Sequence, residues 1–262
     1  MGIMKQKTST IIAVVNQKGG VGKTTTAVNL AAGLADHGIK TLLIDADPQA
    51  NTTSGIGLDQ AQIDATLYDA LIDDRHLTDA LYPTPLSNLH IIPANQALAG
   101  ADVELVNVKS REQRLKALLK QLAPYYDFMI IDCPPSLSLL TVNAMVAANK
   151  VIIPVQCEYY ALEGIAHLSH TIELIKDNFN PELDILGVLP TMFDRRTVLN
   201  KQVVTSAQNV FDDKMFQTVI PRNIRLTEAP SHGLPILLYA PCSKGAKSYA
   251  DLTQEVLQRV VA

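Results

Sequence analysis

Seven short, continuously apolar runs limit what this chain can become. They read TIIAVVN (10–16), KTLLIDAD (40–47), LHIIPA (89–94), DFMIIDCPP (127–135), KVIIPVQ (150–156), ILGVLPTMF (185–193) and QTVIP (217–221). A strand with one wet face alternates apolar and polar residues; these do not. They read as strands buried on both faces, as in a parallel sheet covered by helices. The gaps carry helical patterns. One helix follows a glycine-rich segment and ends near Gly38, a natural C-cap. A second opens at Ser110, where Gln113 completes a capping-box pattern before RLKALLKQL. A third covers about 160–179 and a last one about 249–261. Strand and helix signals in alternation predict an α/β fold with a doubly wound, mostly parallel sheet flanked by helices. No repeat or linker divides the chain, so one domain over 1–262 is expected, with 1–9 as a short lead-in. The polar stretch from Thr52 to Asp64 reads as a long loop within it.

At 262 residues and 47% hydrophobic, the chain can bury one large core. No apolar run approaches the ~20 residues that cross a bilayer. The lead-in MGIMKQKTST has no signal-peptide apolar core. Met1-Gly2 resembles a myristoylation start, but Gln6 stands where that signal wants a hydroxyl. Cys133, Cys157 and Cys242 are scattered, which reads as reduced thiols in a cytosolic protein. His167 and His170 share a helix face without a third metal ligand, and Tyr159 and Tyr160 read as packing residues. A formal charge of −4 argues against a protein that coats nucleic acid constitutively; DNA contact needs a local or assembled basic patch.

The loop after the first run is QKGGVGKTTT (17–26). It follows the P-loop pattern except that Gln17 replaces the first glycine. Its glycines let the backbone curl so that N–H groups face phosphate oxygens, and the following helix adds its positive end. Gly19, Gly20, Val21, Gly22, Lys23, Thr24 and Thr25 form that cradle. Lys23 suits the β- and γ-phosphates, and the Thr24 hydroxyl suits Mg²⁺. Asp45 and Asp47 end one strand run, and Asp132 ends another. Ligands in open α/β sheets lie off such strand ends. As buried strand-end aspartates, Asp45 and Asp132 suit Mg²⁺ anchored through water, and Asp47 suits orienting the attacking water. An aspartate there can instead cap a loop.

Lys18 is a second lysine in the same loop. Aimed at the same phosphates it meets Lys23 at close range, like charge against like. It more easily reaches nucleotide held by a facing chain; the plainer reading is an exposed solubilising lysine. Arg195, Arg196, Lys201, Arg222, Arg225, Lys244 and Lys247 lie in three stretches of the last third. Arginine forks suit phosphate, and no interleaved aromatics suggest base stacking. The plainer reading is ordinary solvated charge.

Together KGGVGKTTT, DADPQ and IIDCPPS resemble the deviant Walker A P-loop ATPases. PVQCEYYALEG, TMFDRRT and VIPRNIRLTEAPSHGLPI narrow the resemblance to the ParA/Soj chromosome- and plasmid-partition ATPases of the MinD/ParA superfamily. It spans about Thr10 to Val260. It implies a homodimer closed around ATP and Mg²⁺, non-specific binding to double-stranded DNA, and slow hydrolysis stimulated by a ParB-type centromere-binding protein. The location implied is cytoplasmic and nucleoid-associated. Lys18 matches the lysine that crosses the dimer interface, Lys23 the P-loop lysine and Thr24 the direct Mg²⁺ ligand. Asp47 matches the aspartate needed for hydrolysis, and Asp132 the Walker B residue. Pro221 and Asn223 match the adenine contacts, and Arg196 and Arg225 the DNA arginines. One departure is Ala240-Pro241-Cys242-Ser243 where the family often has Asp-Pro-Arg-Ser, which removes a basic residue beside the DNA patch. The rival is a membrane-cycling MinD-type ATPase. That needs a basic amphipathic C-terminal helix, whereas SYADLTQEVLQRVVA carries Asp251, Glu255 and only Arg259.

Overall fold

Six of the seven runs become the strands of one sheet in the computed structural model, which describes residues 9–158 and 161–261. In chain order the elements begin with β1 (Thr10–Val14), α1 (Lys23–Asp36), β2 (Thr41–Asp45), α2 (Asn51–Gly55) and α3 (Leu67–Leu71). Next come β3 (Tyr82–Pro83), β4 (Leu89–Ile92), α4 (Ala101–Glu104), α5 (Arg114–Leu122), β5 (Phe128–Asp132) and α6 (Leu139–Ala147). The chain ends with β6 (Lys150–Gln156), α7 (Ala161–Asn178), β7 (Asp184–Thr191), α8 (Val198–Phe211), α9 (Ile224–Glu228), α10 (Ile236–Tyr239) and α11 (Lys244–Val261). Tyr159 and Tyr160, read above as packing residues, lie outside the described residues.

The sheet order is β3-β4-β2-β5-β1-β6-β7, parallel throughout except for β3. Successive side chains leave a strand on opposite faces, so continuous apolar runs feed two cores. Ile12, Val14, Leu43, Ile130 and Ile152 pack with α1 and α11 on one face. Ala13, Leu42, Ile44, Met129 and Ile131 pack with α5, α6 and α7 on the other. The register sets Asp132 beside both Val14 and Asp45, which brings the ends of β1, β2 and β5 to one edge.

The structure corrects three local expectations. QTVIP is no strand: the Gln217 and Thr218 amides donate to the Glu255 carboxylate of α11 at 2.8 and 2.9 Å, which interrupts any ladder to β7. Its end still meets that line: the Ile220 amide donates to the Pro190 carbonyl at 2.9 Å, and Phe193 pairs with Pro221. The seventh strand is instead β3, a two-residue antiparallel edge carrying Pro83, where a missing donor costs little. Ser110 forms no capping box; its φ of 53° is left-handed, and a tight turn intervenes before α5. The working box is Thr66–Asp69 at the start of α3. Finally, 52–64 is not simply a loop, because α2 buries Thr52 and Thr53 completely.

Candidate nucleotide site

The glycine loop runs from β1 into α1 with Gly20 at φ 71° and Gly22 at φ 92°. Only glycine adopts such angles without strain, which explains the residue choice. The loop is pinned at both ends. Asn16 donates to the Pro154 carbonyl at 2.7 Å and accepts from the Lys18 amide at 2.9 Å. The Thr191 hydroxyl of β7 donates to the Val21 carbonyl at 2.8 Å. The Lys23 amine is buried and donates back to the Lys18 carbonyl at 3.0 Å. Burial lowers its pKa, and the neighbouring Asp132 opposes that shift.

Asp132 is fully buried at the end of β5. Its Oδ2 accepts two hydroxyls, from Thr24 and from Thr52, each at 2.7 Å. Its Oδ1 has no hydrogen-bond partner among the described residues. Asp45 is equally buried but fully engaged. Its Oδ2 accepts the Thr53 amide and hydroxyl at 2.8 and 2.7 Å, and its Oδ1 accepts the Asp47 amide at 3.2 Å. Burial raises the pKa of both carboxyls, and for Asp45 the charge of Asp132 adds to the shift. Asp47 is buried, and its Oδ1 accepts the Gln49 amide at 3.0 Å. Burial pushes the Cys133 thiol up, leaving an unreactive neighbour.

Lys18 points elsewhere. Its amine lies 2.6 Å from Glu158 Oε2, and the two side chains are 52% and 50% exposed. Gln156 donates to the other Glu158 oxygen at 2.6 Å. Beside Gly22 and Thr25 opens a cavity of about 310 Å³, lined also by Pro221, Asn223, Tyr249 and Met192. Asn223 Oδ1 caps α9 by accepting the Arg225 amide at 2.9 Å. An unpartnered buried carboxylate oxygen, an adjacent hydroxyl, curled glycines and a buried lysine are together the donor set that Mg²⁺ with a nucleoside triphosphate requires.

The AAA domain family profile matches residues 9–185. The sporulation initiation inhibitor protein Soj of Bacillus subtilis is 55% identical over 94% of this chain and 97% of its own. The chain belongs to the ParA/Soj family of chromosome-partitioning ATPases. The chromosome partitioning protein ParA of Myxococcus xanthus is 53% identical over 95% of this chain and 88% of its own. A solved structure named cobyrinic acid a,c-diamide synthase, from Mycobacterium smegmatis with a bound ATP analogue and magnesium, superposes with a TM-score of 0.85. It is 35% identical over 97% of this chain and 96% of that one. The two names differ while the fold is one, because one fold can carry different functions at its sites.

In this ParA-type chain the backbone segments that carry Arg195, Arg196, Arg222, Arg225 and Lys247, separate in sequence, adjoin in space. The Arg222 amide donates to the Phe193 carbonyl at 3.1 Å, joining 193–196 to 221–225. Leu226 of α9 packs on Gly245 of α11, which brings the segment bearing Lys247 alongside. Arg195, Arg196, Arg222, Arg225 and Lys247 are all exposed. Two are held within the chain. Arg196 makes a bidentate pair with Asp194 at 3.0 and 2.8 Å, which pulls the Asp194 carboxyl down to about 2. Arg225 pairs with Glu228 at 2.8 Å.

Sequence reasoning missed Thr52, Thr53, Glu158 and Thr191. The two threonines sit in a polar stretch without periodicity. Glu158 becomes Lys18's neighbour only because β6 lies beside β1, and no local pattern announces that.

Proposed function

We propose that this chain is a DNA-partitioning ATPase that closes as an ATP-sandwich homodimer, binds double-stranded DNA without sequence preference in that state, and is released by slow hydrolysis. The observation that carries the reading is the divergence of the two loop lysines. Lys23 is drawn into the loop, where it can meet only its own chain's phosphates. Lys18 projects outward onto a half-exposed carboxylate that it can exchange for a phosphate across an interface.

Gly19 to Thr25 cradle the phosphates, with Lys23 on the β- and γ-groups. Pro221 and Asn223 take the adenine in the adjoining cavity. Thr24 would hold Mg²⁺ directly and Asp132 through water, its Oδ1 having no hydrogen-bond partner among the described residues. Asp45 stands behind it, shaping the loop that presents Asp47. The ion, when bound, neutralises charge developing on the transferred phosphoryl group. The protein's own part is positioning. Asp47 orients the attacking water, and Lys18 of the facing chain adds positive charge. Arg196 and Arg225, with Arg195, Arg222 and Lys247, contact DNA backbone, and the dimer doubles that patch on a chain of net charge −4. A ParB-type protein stimulates hydrolysis, and the protein works in the cytoplasm on the nucleoid.

Helix α11 speaks against the MinD-type alternative. Tyr249, Leu252 and Val256 of α11 are buried against the sheet, so that apolar stripe is spent on the core. Duplex binding with and without ATP, alongside sizing in the same two states, tests the proposal. Coupled gain of dimer and DNA binding on ATP is expected. Duplex binding that ignores nucleotide contradicts it.

A further inference from the structure

We propose that Thr52 is a positioning residue for Asp132, whose hydroxyl sets how tightly the site takes Mg²⁺. The inference rests on the nucleotide reading above and concerns a residue outside the glycine loop and the strand-end aspartates. A buried hydroxyl needs some acceptor, and a backbone carbonyl would satisfy it. Thr52 instead donates to a carboxylate oxygen 80 residues away that Thr24 also occupies. Two hydroxyls on Oδ2 fix the carboxylate plane and leave Oδ1 as the oxygen without a protein partner. Thr24 can ligate a metal through a lone pair while its proton stays on Oδ2. Once that happens, Thr52 is the remaining contact that holds Asp132 independently of the metal ligand.

The fold places this hydroxyl firmly. Thr52 is completely buried on α2, and its neighbour Thr53 clamps Asp45 through both amide and hydroxyl. Behind α2 the chain is pressed against 229–234. A Cβ on Gly57 would lie 2.7 Å from the Gly233 carbonyl oxygen, so the two backbones touch. α2 therefore presents Thr52 and Thr53 as two fixed prongs, one for each strand-end carboxylate. Groups that orient a metal's ligands typically change metal affinity about 10- to 100-fold when removed.

The test is equilibrium binding of a fluorescent ATP analogue across a Mg²⁺ titration, for wild type, Thr52→Val and Thr52→Ser. Valine keeps the shape and removes the donor. The Mg²⁺ concentration that half-maximally strengthens nucleotide binding should rise about 10- to 100-fold in Thr52→Val. Nucleotide affinity without Mg²⁺ should stay as in wild type, since Lys23 and the loop amides are untouched. Thr52→Ser should restore the wild-type midpoint. An unchanged midpoint in Thr52→Val overturns the inference. So does a Thr52→Ser protein as impaired as Thr52→Val, because packing is then what matters. If Thr52→Val does not fold, Thr52→Ser alone decides: a wild-type midpoint supports the hydroxyl, and a raised one refutes it. A wild type whose nucleotide binding ignores Mg²⁺ overturns the nucleotide reading itself, which distinguishes the two failures.

Discussion

Replacing Glu158 with glutamine and replacing Lys18 with alanine should move the ATP-dependent dimer in opposite directions. In the nucleotide-free chain Lys18 rests 2.6 Å from Glu158, with each side chain about half exposed. Such pairs contribute about 0.2–1 kcal/mol, because water and salt screen them. Lys18 must give that up to reach a facing chain's nucleotide, and symmetry makes the exchange occur twice per dimer. Glu158→Gln therefore strengthens dimerisation by about 0.4–2 kcal/mol, or about 2- to 30-fold. Lys18→Ala loses the contact that replaces it. Truncating one partner of a buried charge pair costs about 2–5 kcal/mol per contact, about 30- to several-thousand-fold. Sedimentation equilibrium with a non-hydrolysable ATP analogue measures both constants. The gain in Glu158→Gln should shrink as salt rises, since the pair it removes is exposed. A Glu158→Gln dimer that is equal to or weaker than wild type at low salt refutes the resting role of this contact.

Lys23→Ala should abolish ATP binding, because the buried amine is the loop's phosphate-facing charge; undiminished affinity for labelled ATP would remove it from the site. Asp47→Ala should retain ATP binding and accumulate dimer while phosphate release stops, which light scattering beside a phosphate assay checks. Arg196→Ala and Arg225→Ala should weaken binding to any duplex about equally and leave the dimer intact, and wild-type affinity should fall steeply with salt. Asp132→Asn bears on pH. The folded Asp132 carboxyl has a raised pKa, so its contribution to stability is present at low pH and lost as pH rises from the ordinary carboxylate range through the raised value. In Asp132→Asn the amide oxygen can take both hydroxyls, so the nucleotide-free variant should melt above wild type at pH 8. That difference should narrow as pH falls toward 5. A gap in melting temperature that is independent of pH counts against the shift.

The six long strands were legible because each is buried on two faces, and a continuous apolar run is what such burial requires. The QTVIP error has the same root. That run is apolar, but Glu255, far along the chain, takes its first two amides. The phosphate loop was legible because positive-φ glycines and a following helix are local requirements written in consecutive residues. Thr52 and Glu158 were not, since each acquires its role from a partner far away in the chain. Their placement depends on the strand order and on α2 folding back over the strand ends. The arginines fall between these cases. Their residue type and their local partners, Asp194 beside Arg196 and Glu228 beside Arg225, lie close in sequence, but the adjoining of their segments required Leu226 of α9 to pack on Gly245 of α11.

The central claim is that Lys18 acts on the nucleotide of a facing chain, and mixing two inactive variants tests it most directly. A Lys18→Ala chain can still hold ATP, and a Lys23→Ala chain can still offer its Lys18 to that ATP. Each variant alone should neither dimerise on ATP nor hydrolyse it. Mixed with ATP and Mg²⁺, they should form heterodimer and recover part of the hydrolysis, because one of the two composite sites is then complete. A mixture that stays monomeric and inactive, or a Lys18→Ala protein that dimerises as wild type does, contradicts the account.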